Sequence, residues 1–288
     1  MARRLCLLLL AALAALPAAG RPQPPAGDTL RIGLVLPDSA ARTPRMRAAG
    51  RGVTLGVEEA ARSAALFGRA VVMVEGADAA RLVREGRVQA LLGGFAAEEC
   101  IALGDVAERS GVLFLNLGCA ADELRGRRCR ASAFHVAPSE SMLADALPPA
   151  RVPGGAAAAW DSRLERFGAG QLNQRFRARF GEEMDSQGWV GWFAVKVLWE
   201  STLRARSTLP IVLRQYLRSD AAQFDGHKGR PLSFRRWDHQ LRQPLYVSTP
   251  RTAPVEVPRA PADPDVSSRD FLDRLGTARS RSTCRFNG

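Results

Sequence analysis

The chain has 288 residues, which is enough for one large domain or two small ones. Hydrophobic residues make up 46% of it and charged residues 24%, so the composition excludes a disordered tail and a multi-span membrane protein. Lysine and arginine number 41 against 29 acidic residues, a formal charge of +12, and the only lysines are Lys196 and Lys228. Because the arginines are scattered along the whole chain, the charge alone does not identify a partner.

The first twenty residues have the pattern of a signal peptide. Arg3 and Arg4 precede an apolar run over 5–16, and small residues lead up to Gly20. The run is too short to span a bilayer, which leaves a retained interfacial anchor as the alternative. We expect export with cleavage near Gly20, no stable membrane insertion and, for an exported chain, no nucleic-acid partner.

Residues 21–29 form a proline-rich leader, and the chain then alternates between two kinds of element. Strands are predicted at 30–36, 71–74, 88–92, 112–117 and 133–136, and helices at 45–66, 78–86, 98–109 and 139–147. Short apolar strands alternating with helices predict a parallel sheet with helices on both faces. Residues 30–147 are therefore expected to form one doubly wound α/β lobe.

The pattern changes after residue 147. The stretch 148–159 is rich in proline, glycine and alanine and predicts a linker. Residues 160–250 read as mainly helical, and Trp189, Trp192 and Trp199 have a helical spacing that favours core packing over a ligand groove. This region closes with two strands, 232–234 and 245–247, that predict a C-terminal hairpin around a polar turn. Residues 251–288 predict a loose tail with a short helix at 270–275.

Motifs for catalysis are absent from the sequence. It contains no GxSxG, HExxH, CxxC or P-loop pattern, and His135, His227 and His239 are isolated from one another. We therefore expect no enzymatic activity, no catalytic residues, no metal site and no cofactor.

A binding site is expected at one edge of the predicted sheet, because ligands of doubly wound sheets lie beyond the carboxyl ends of the strands. Those ends are at 37–39, 75–76, 93–96 and 116–122. The candidate ligand-binding residues are Gly94, Phe95, Ala96, Ala97, Asn116, Gly118, Cys119 and Ala120.

Three stretches resemble the type I periplasmic solute-binding proteins, the leucine/isoleucine/valine-binding family. They are IGLVLP at 32–37, VQALLGGFAAEECIALGDVAERSGVLFLNLG at 88–118 and FHVAPSESMLADAL at 134–147. The resemblance implies a periplasmic-binding-protein-like I fold, a periplasmic location and a small-molecule solute. It also implies the permease and ATPase subunits of an ABC import system as partners.

A narrower resemblance covers 160–181, 224–250 and 271–286. These stretches are similar to substrate-binding proteins of ABC systems encoded beside PQQ-dependent alcohol dehydrogenases. This resemblance implies a link to alcohol oxidation, with a periplasmic quinoprotein dehydrogenase system as a further partner. It also implies a disulfide between Cys129 and Cys284, while Cys100 and Cys119 are expected to stay thiols.

The chain departs from the family pattern in two ways. Where the family has a second α/β lobe, only 148–159 intervenes, so we expect a truncated, mainly helical second lobe over 160–250. The positions that match the family's amino-acid-binding hydroxyls are Ala96 or Ala97 and Cys119-Ala120. Ordinary amino-acid binding is therefore not expected, and backbone amides after Gly93-Gly94 and Asn116 leave a carboxylate as the expected residual ligand. The alternative is a sensor or interaction protein with no role in solute transport.

Overall fold

A computed structural model describes residues 29–259 and 267–286. The predicted signal peptide and residues 21–28 of the leader lie outside the described residues. The main sheet is parallel, with the strand order β2-β1-β3-β4-β5. Its strands are β1 (Thr29–Val35), β2 (Ala70–Gly76), β3 (Ala90–Gly93), β4 (Leu113–Asn116) and β5 (Ala133–His135).

Three helices between these strands and one after β5 complete the predicted α/β alternation. They are α1 (Pro44–Ala65), α2 (Ala79–Arg84), α3 (Ala97–Ser110) and α4 (Glu140–Ala150). Thr43 starts α1 by accepting a hydrogen bond from the Met46 amide, and Pro44 occupies the first turn, where no amide is needed. The predicted doubly wound sheet is confirmed.

The helices of the second half pack against the first half of the chain, chiefly α6 against α1, rather than standing apart from it. They are α5 (Ala169–Phe180), α6 (Ser186–Ala205) and α7 (Pro210–Leu217). At the crossing of α6 and α1, a Cβ on Gly52 would lie 1.9 Å from the Gly188 carbonyl oxygen. Glycine at this crossing therefore permits backbone-to-backbone approach, and the larger of two hydrophobic clusters includes residues from Leu30 to Leu275.

The tryptophans of α6 belong to this packing. Trp189 is fully buried, while the indole nitrogens of Trp192 and Trp199 donate to Glu59 (2.8 Å) and Ser63 (3.1 Å) of α1. Their helical spacing therefore reflects core packing between two helices.

Six short strands form the rest of the described β structure. They are β6 (Ala156–Ala158), β7 (Phe224–Asp225), β8 (Pro231–Phe234), β9 (Leu241–Arg242), β10 (Leu245–Thr249) and β11 (Thr252–Val257). One antiparallel sheet has the order β11-β10-β6, and the other has the order β7-β8-β9.

These pairings correct three predictions from the sequence. The predicted hairpin is wrong because β8 pairs with β9, and β10 pairs with β6 and β11. The Arg235 amide donates to the Gln240 carbonyl at 2.9 Å and closes a tight turn after β8. This turn brings β9, which is nearer in the chain than β10, alongside β8. The predicted linker 148–159 contains β6, which the backbone ladder to β10 holds in place although its side chains are only methyl groups.

The third correction concerns the predicted loose tail 251–288. Its residues 252–257 form β11, and the helix predicted at 270–275 is α8 (Ser268–Leu272).

A disulfide joins Cys129 to Cys284, with their Cα atoms 5.7 Å apart, whereas Cys100 and Cys119 are free and buried. None of the helices formed by residues 29–259 and 267–286 is both long and apolar enough to cross a membrane.

Candidate functional site

The predicted ligand-binding residues lie together at the carboxyl edge of the sheet, in the loops after β3 and β4. These strands are neighbours, and the Leu117 amide donates to the Gly93 carbonyl at 2.8 Å. Gly94, Asn116, Gly118 and Cys119 are buried; Phe95, Ala97 and Ala120 are half-buried; and Ala96 is exposed. A Cβ on Gly118 would lie 2.3 Å from the Phe95 ring, so that ring covers the loop after β4.

The side chain of Asn116 binds the backbone of the loop after β4. Its Oδ1 accepts from the amides of Gly118 (3.1 Å) and Cys119 (2.9 Å), and its Nδ2 donates to the Cys119 carbonyl at 2.8 Å. The side chain is fully buried and also lies 3.1 Å from Nδ1 of His135. The amides of Gly118 and Cys119, which follow Asn116, are therefore already used inside the protein, and a carboxylate would have to compete with Oδ1 of Asn116 for them.

The loop after β3 is similarly occupied by the protein's own carboxylates. The Phe95 amide donates to Oε2 of Glu99 at 2.9 Å, and Glu98 and Glu99 both lie in the first turn of α3. Acidic side chains satisfy the partial positive charge of a helix N-terminus. An anionic ligand at this end of α3 would have to displace them or accept their repulsion.

The two free thiols belong to the same internal network. Cys100 Sγ lies 3.5 Å from Asn116 Oδ1. A hydrogen bond from the Cys100 thiol, helped by the Ala121 amide and Arg125, lowers the pKa of Cys119 to about 6. The same bond, together with burial, raises the pKa of Cys100. The polar atoms of both cysteines therefore stabilise the loop instead of facing solvent.

Arg125 fastens the loop after β4 to the loop after β5. Its guanidinium is 2% exposed and donates to the carbonyls of Cys119 (3.1 Å), Ala121 (3.0 Å) and Ala137 (2.8 Å) and to Oε1 of Gln240 (2.8 Å). Burial lowers its pKa to about 10, so it remains charged near neutral pH. We call this part of the edge, built on Asn116, Arg125 and Gln240, the sealed half.

The other part of the edge, after β1 and β2, contains a cavity of about 640 Å³. We call it the open half. Its apolar lining includes Pro37, Met46, Ala80, Ala102, Leu103 and Val106. Its charged lining residues are Asp78, which caps α2 by accepting from the Arg81 amide at 3.0 Å, and Glu99.

The predicted ligand residues and the cavity therefore do not coincide. None of the eight candidates lines the cavity, although Pro37 of the strand end predicted at 37–39 does, as do Ala77 and Asp78 directly after the strand end predicted at 75–76. Met46, Glu99 and Ala102 were missed because they lie on helices, where an apolar or acidic residue carries no signal of a ligand. Their ligand role remains a prediction, as it does for the eight candidates.

Titratable groups do not suggest metal binding or catalysis at this edge. In the part of the chain that the structure describes, no three His, Cys, Asp or Glu side chains form a group suited to a metal ion. His135 and His239 are buried beside each other, and burial lowers both pKa values, that of His239 to about 3. They therefore act as uncharged packing and hydrogen-bonding groups near neutral pH.

Comparisons with known proteins agree on the fold. No protein-family profile matches the chain, and no curated protein matches it. A periplasmic binding protein from Burkholderia mallei is similar in structure, with a TM-score of 0.71, 13% identity and coverage of 91% of this chain and 100% of that one. This chain has the type I periplasmic-binding-protein fold. The predicted fold class is confirmed.

Two further structures with this fold contain ligands. The branched-chain amino acid transporter substrate-binding protein LivJ from Streptococcus pneumoniae, in complex with isoleucine, has a TM-score of 0.67, 12% identity and coverage of 79% and 99%. A solute-binding protein of an ABC transporter from R. palustris, in complex with benzoate, has a TM-score of 0.65, 13% identity and coverage of 89% and 99%. These ligands differ in chemistry, so the shared fold leaves the solute of this chain to be argued from its own residues.

Proposed function

We propose that the chain is the exported solute-binding component of an ABC import system and does no chemistry itself. Its partners in this proposal are a permease and an ATPase. The solute is a small, uncharged molecule with an apolar body, and it binds in the cavity of the open half. We infer an uncharged solute from the lining of that cavity, which is apolar except for the carboxylates of Asp78 and Glu99.

The size and chemistry of the cavity support such a solute. A volume of about 640 Å³ lies within the range of ligand pockets, about 300–1,000 Å³. Burying an apolar body there is favourable by about 25 cal/mol per Å² of surface removed from water. A carboxylate would lose its hydration and meet two like charges, so its binding is disfavoured.

The proposal also includes a role beside alcohol oxidation by a quinoprotein dehydrogenase. It is supported by the resemblance of 160–181, 224–250 and 271–286, and an alcohol is an uncharged solute of the proposed class. A periplasmic location is supported by the disulfide between Cys129 and Cys284, because structural disulfides persist in oxidising compartments.

A second candidate function is a sensor or interaction protein that keeps the fold without transporting a solute. It is favoured by the sealed half, where Asn116 and Arg125 use the loop amides and carbonyls internally. Residues 29–259 and 267–286 also form just one parallel sheet, whereas high affinity in two-lobed binding proteins depends on closure around the ligand.

Calorimetric titration of the mature chain with benzyl alcohol, benzoate and leucine tests the proposal. We expect saturable binding of benzyl alcohol, binding of benzoate about tenfold weaker, and leucine binding at millimolar strength or weaker, because its ammonium and carboxylate would lose about 1.5–3 kcal/mol for each ionic hydrogen bond not replaced. Ala102→Phe should fill the cavity and abolish binding. The matched control is Ala65→Phe, at an exposed position near the end of α1.

Each outcome separates the candidates. Micromolar leucine binding would show that the pocket uses residues other than those of the open half. Unchanged affinity in Ala102→Phe would move the site away from this cavity. Absence of binding by all three solutes in a folded chain would favour the sensor or interaction function.

A further inference from the structure

A second cavity, away from the solute cavity, is lined mainly by arginine. Its volume is about 310 Å³, and it lies between the end of α7, the turn that joins β8 to β9, and the segment 267–286. The arginines that line it are Arg218, Arg236, Arg242, Arg269 and Arg279, and the lining carboxylate is Asp220. The lining therefore has a formal charge of +4.

Three of these arginines form ion pairs with carboxylates. Asp220 pairs with Nη2 of Arg236 at 2.9 Å and also with Arg269. Asp273 accepts from Nε of Arg242 at 2.8 Å, and the Phe234 carbonyl accepts from Nη1 of the same guanidinium at 2.8 Å. Arg242 is therefore fixed in position by its contacts inside the protein.

The other two arginines of the lining have no carboxylate partner among the described residues. Among residues 29–259 and 267–286, neither Arg218 nor Arg279 forms a side-chain hydrogen bond or an ion pair. Arg218 instead lies over the ring of Phe286, 5.8 Å from its centroid. Nη2 of Arg242 likewise makes no hydrogen bond to a described residue. Guanidinium groups of like charge repel one another, so an anion between them would stabilise the arrangement.

We propose that this cavity binds a small oxyanion with more than one negative charge, a phosphate ester or a di- or tricarboxylate. A guanidinium presents its N–H donors in a planar fork that matches both carboxylate and phosphate oxygens. Several forks around one pocket select a multivalent anion over chloride. The volume of about 310 Å³ admits a molecule of citrate size.

The disulfide contributes to this site. Arg269 and Arg279 lie on the segment 267–286, which Cys284 ties to Cys129 in the first half of the chain. The opposite face of the cavity is provided by Arg218, after α7, and by the turn residue Arg236. Reducing the disulfide is therefore expected to weaken anion binding.

Calorimetry and thermal unfolding at constant ionic strength test the proposal, with citrate, inorganic phosphate and chloride as probes. Citrate and phosphate should bind saturably and raise the melting temperature, whereas chloride should not. The variant Arg218→Gln/Arg279→Gln should lose about a hundredfold in affinity, since each lost ionic hydrogen bond is worth about tenfold or more. Both side chains lack ion pairs, so the variant should fold normally.

The matched control is Arg109→Gln/Arg251→Gln, which removes the same charge at two exposed positions outside the cavity. It should bind the probes as the unaltered chain does. Binding of citrate alone would identify polycarboxylates as the ligand class, and binding of phosphate alone would identify phosphate esters. If neither anion binds, or if the two double variants lose affinity equally, the proposal is wrong. Should the glutamine variant fail to fold, Arg218→Lys/Arg279→Lys keeps the charge and still removes the forks.

Discussion

The sealed and open halves belong to the same edge of the same parallel sheet, yet their polar groups are used in opposite ways. In the sealed half, Asn116 and Arg125 satisfy loop amides and carbonyls within the protein. In the open half, Asp78 and Glu99 only cap helix ends, and apolar side chains surround a cavity. The position of a loop after a strand therefore does not decide whether its polar atoms are free to meet a ligand; the hydrogen bonds inside the protein do.

The difference arises from what packs against each half. The turn between β8 and β9 contacts the end of β5, where Nε2 of Gln240 donates to the carbonyls of His135 and Ala137 at 3.1 Å. Phe286 stacks on His239 of that turn, with ring centroids 3.9 Å apart. The sealed half is thus covered by residues from the C-terminal third of the chain.

The largest effect is expected from removing the disulfide with Cys129→Ser/Cys284→Ser. The two cysteines are 155 residues apart, so the bond constrains a long loop of the unfolded chain. The loop-entropy model assigns this constraint about 5 kcal/mol. Urea unfolding should show a loss of this order, and reduction of the unaltered chain should reproduce it. A loss below about 1 kcal/mol would mean that noncovalent contacts alone hold the tail.

The next largest effect is expected for Arg125→Met, which removes the charge that closes the sealed half. It removes four hydrogen bonds and leaves the Ala121 carbonyl and Oε1 of Gln240 without a donor, whereas the carbonyls of Cys119 and Ala137 keep Nδ2 of Asn116 and Nε2 of Gln240. We expect a loss of about 4 kcal/mol in unfolding free energy, because each unsatisfied buried group costs about 1–3 kcal/mol. The control Arg127→Met removes an exposed ion pair with Glu123 and should cost less than about 0.5 kcal/mol. Equal losses would contradict the role given to Arg125.

The sequence predicted the main sheet because its strands are short apolar runs between amphipathic helices, a pattern that depends on local burial alone. It did not predict the partners of β8 and β10, because pairing between such short strands is set by the turn at 235–240 and by the alanine strand β6. The alternation of apolar and polar residues carries no such information over two-residue strands.

The sequence predicted that the candidate site lies at the carboxyl edge of the main sheet, but not which loops of that edge surround the cavity. The loops after β3 and β4 were chosen by position and by resemblance, and the structure shows that Asn116 turns two of their amides inward. The partner that fixes this arrangement, Gln240, lies more than a hundred residues away from Arg125 in the chain. Long-range contacts of this kind leave no local signal in the sequence.

An intermediate effect is expected from acid, through the histidines of the sealed half. Burial lowers the pKa of His239 from 6.5 to about 3 and lowers that of His135 as well. Both stay uncharged in the folded protein while the unfolded chain takes up protons below about pH 6.5, so stability falls as the pH falls through this window. The loss should be about 2 kcal/mol per histidine between about pH 7 and about pH 5.

The variant His239→Asn tests this pH dependence. Asparagine can still donate to the Ala133 carbonyl and tolerates the left-handed backbone (φ 52°) at this position. The slope of unfolding free energy against pH should decrease by about one proton relative to the unaltered chain, whatever the absolute stability of the variant. An unchanged slope would show that His239 is not responsible.

The smallest effect is expected in the open half, from Glu99→Gln. Glutamine keeps an oxygen for the Phe95 amide, so stability should change by less than about 0.5 kcal/mol. Removing one negative charge about 6 Å from a bound carboxylate is worth about 0.7 kcal/mol in a water-like dielectric, so benzoate should bind about threefold more tightly while the affinity for benzyl alcohol stays the same. The control Glu98→Gln alters an exposed residue that does not line the cavity. An equal gain for both solutes would show that the substitution changed the shape of the cavity, and no gain for benzoate would show that the charge of Glu99 does not select the solute.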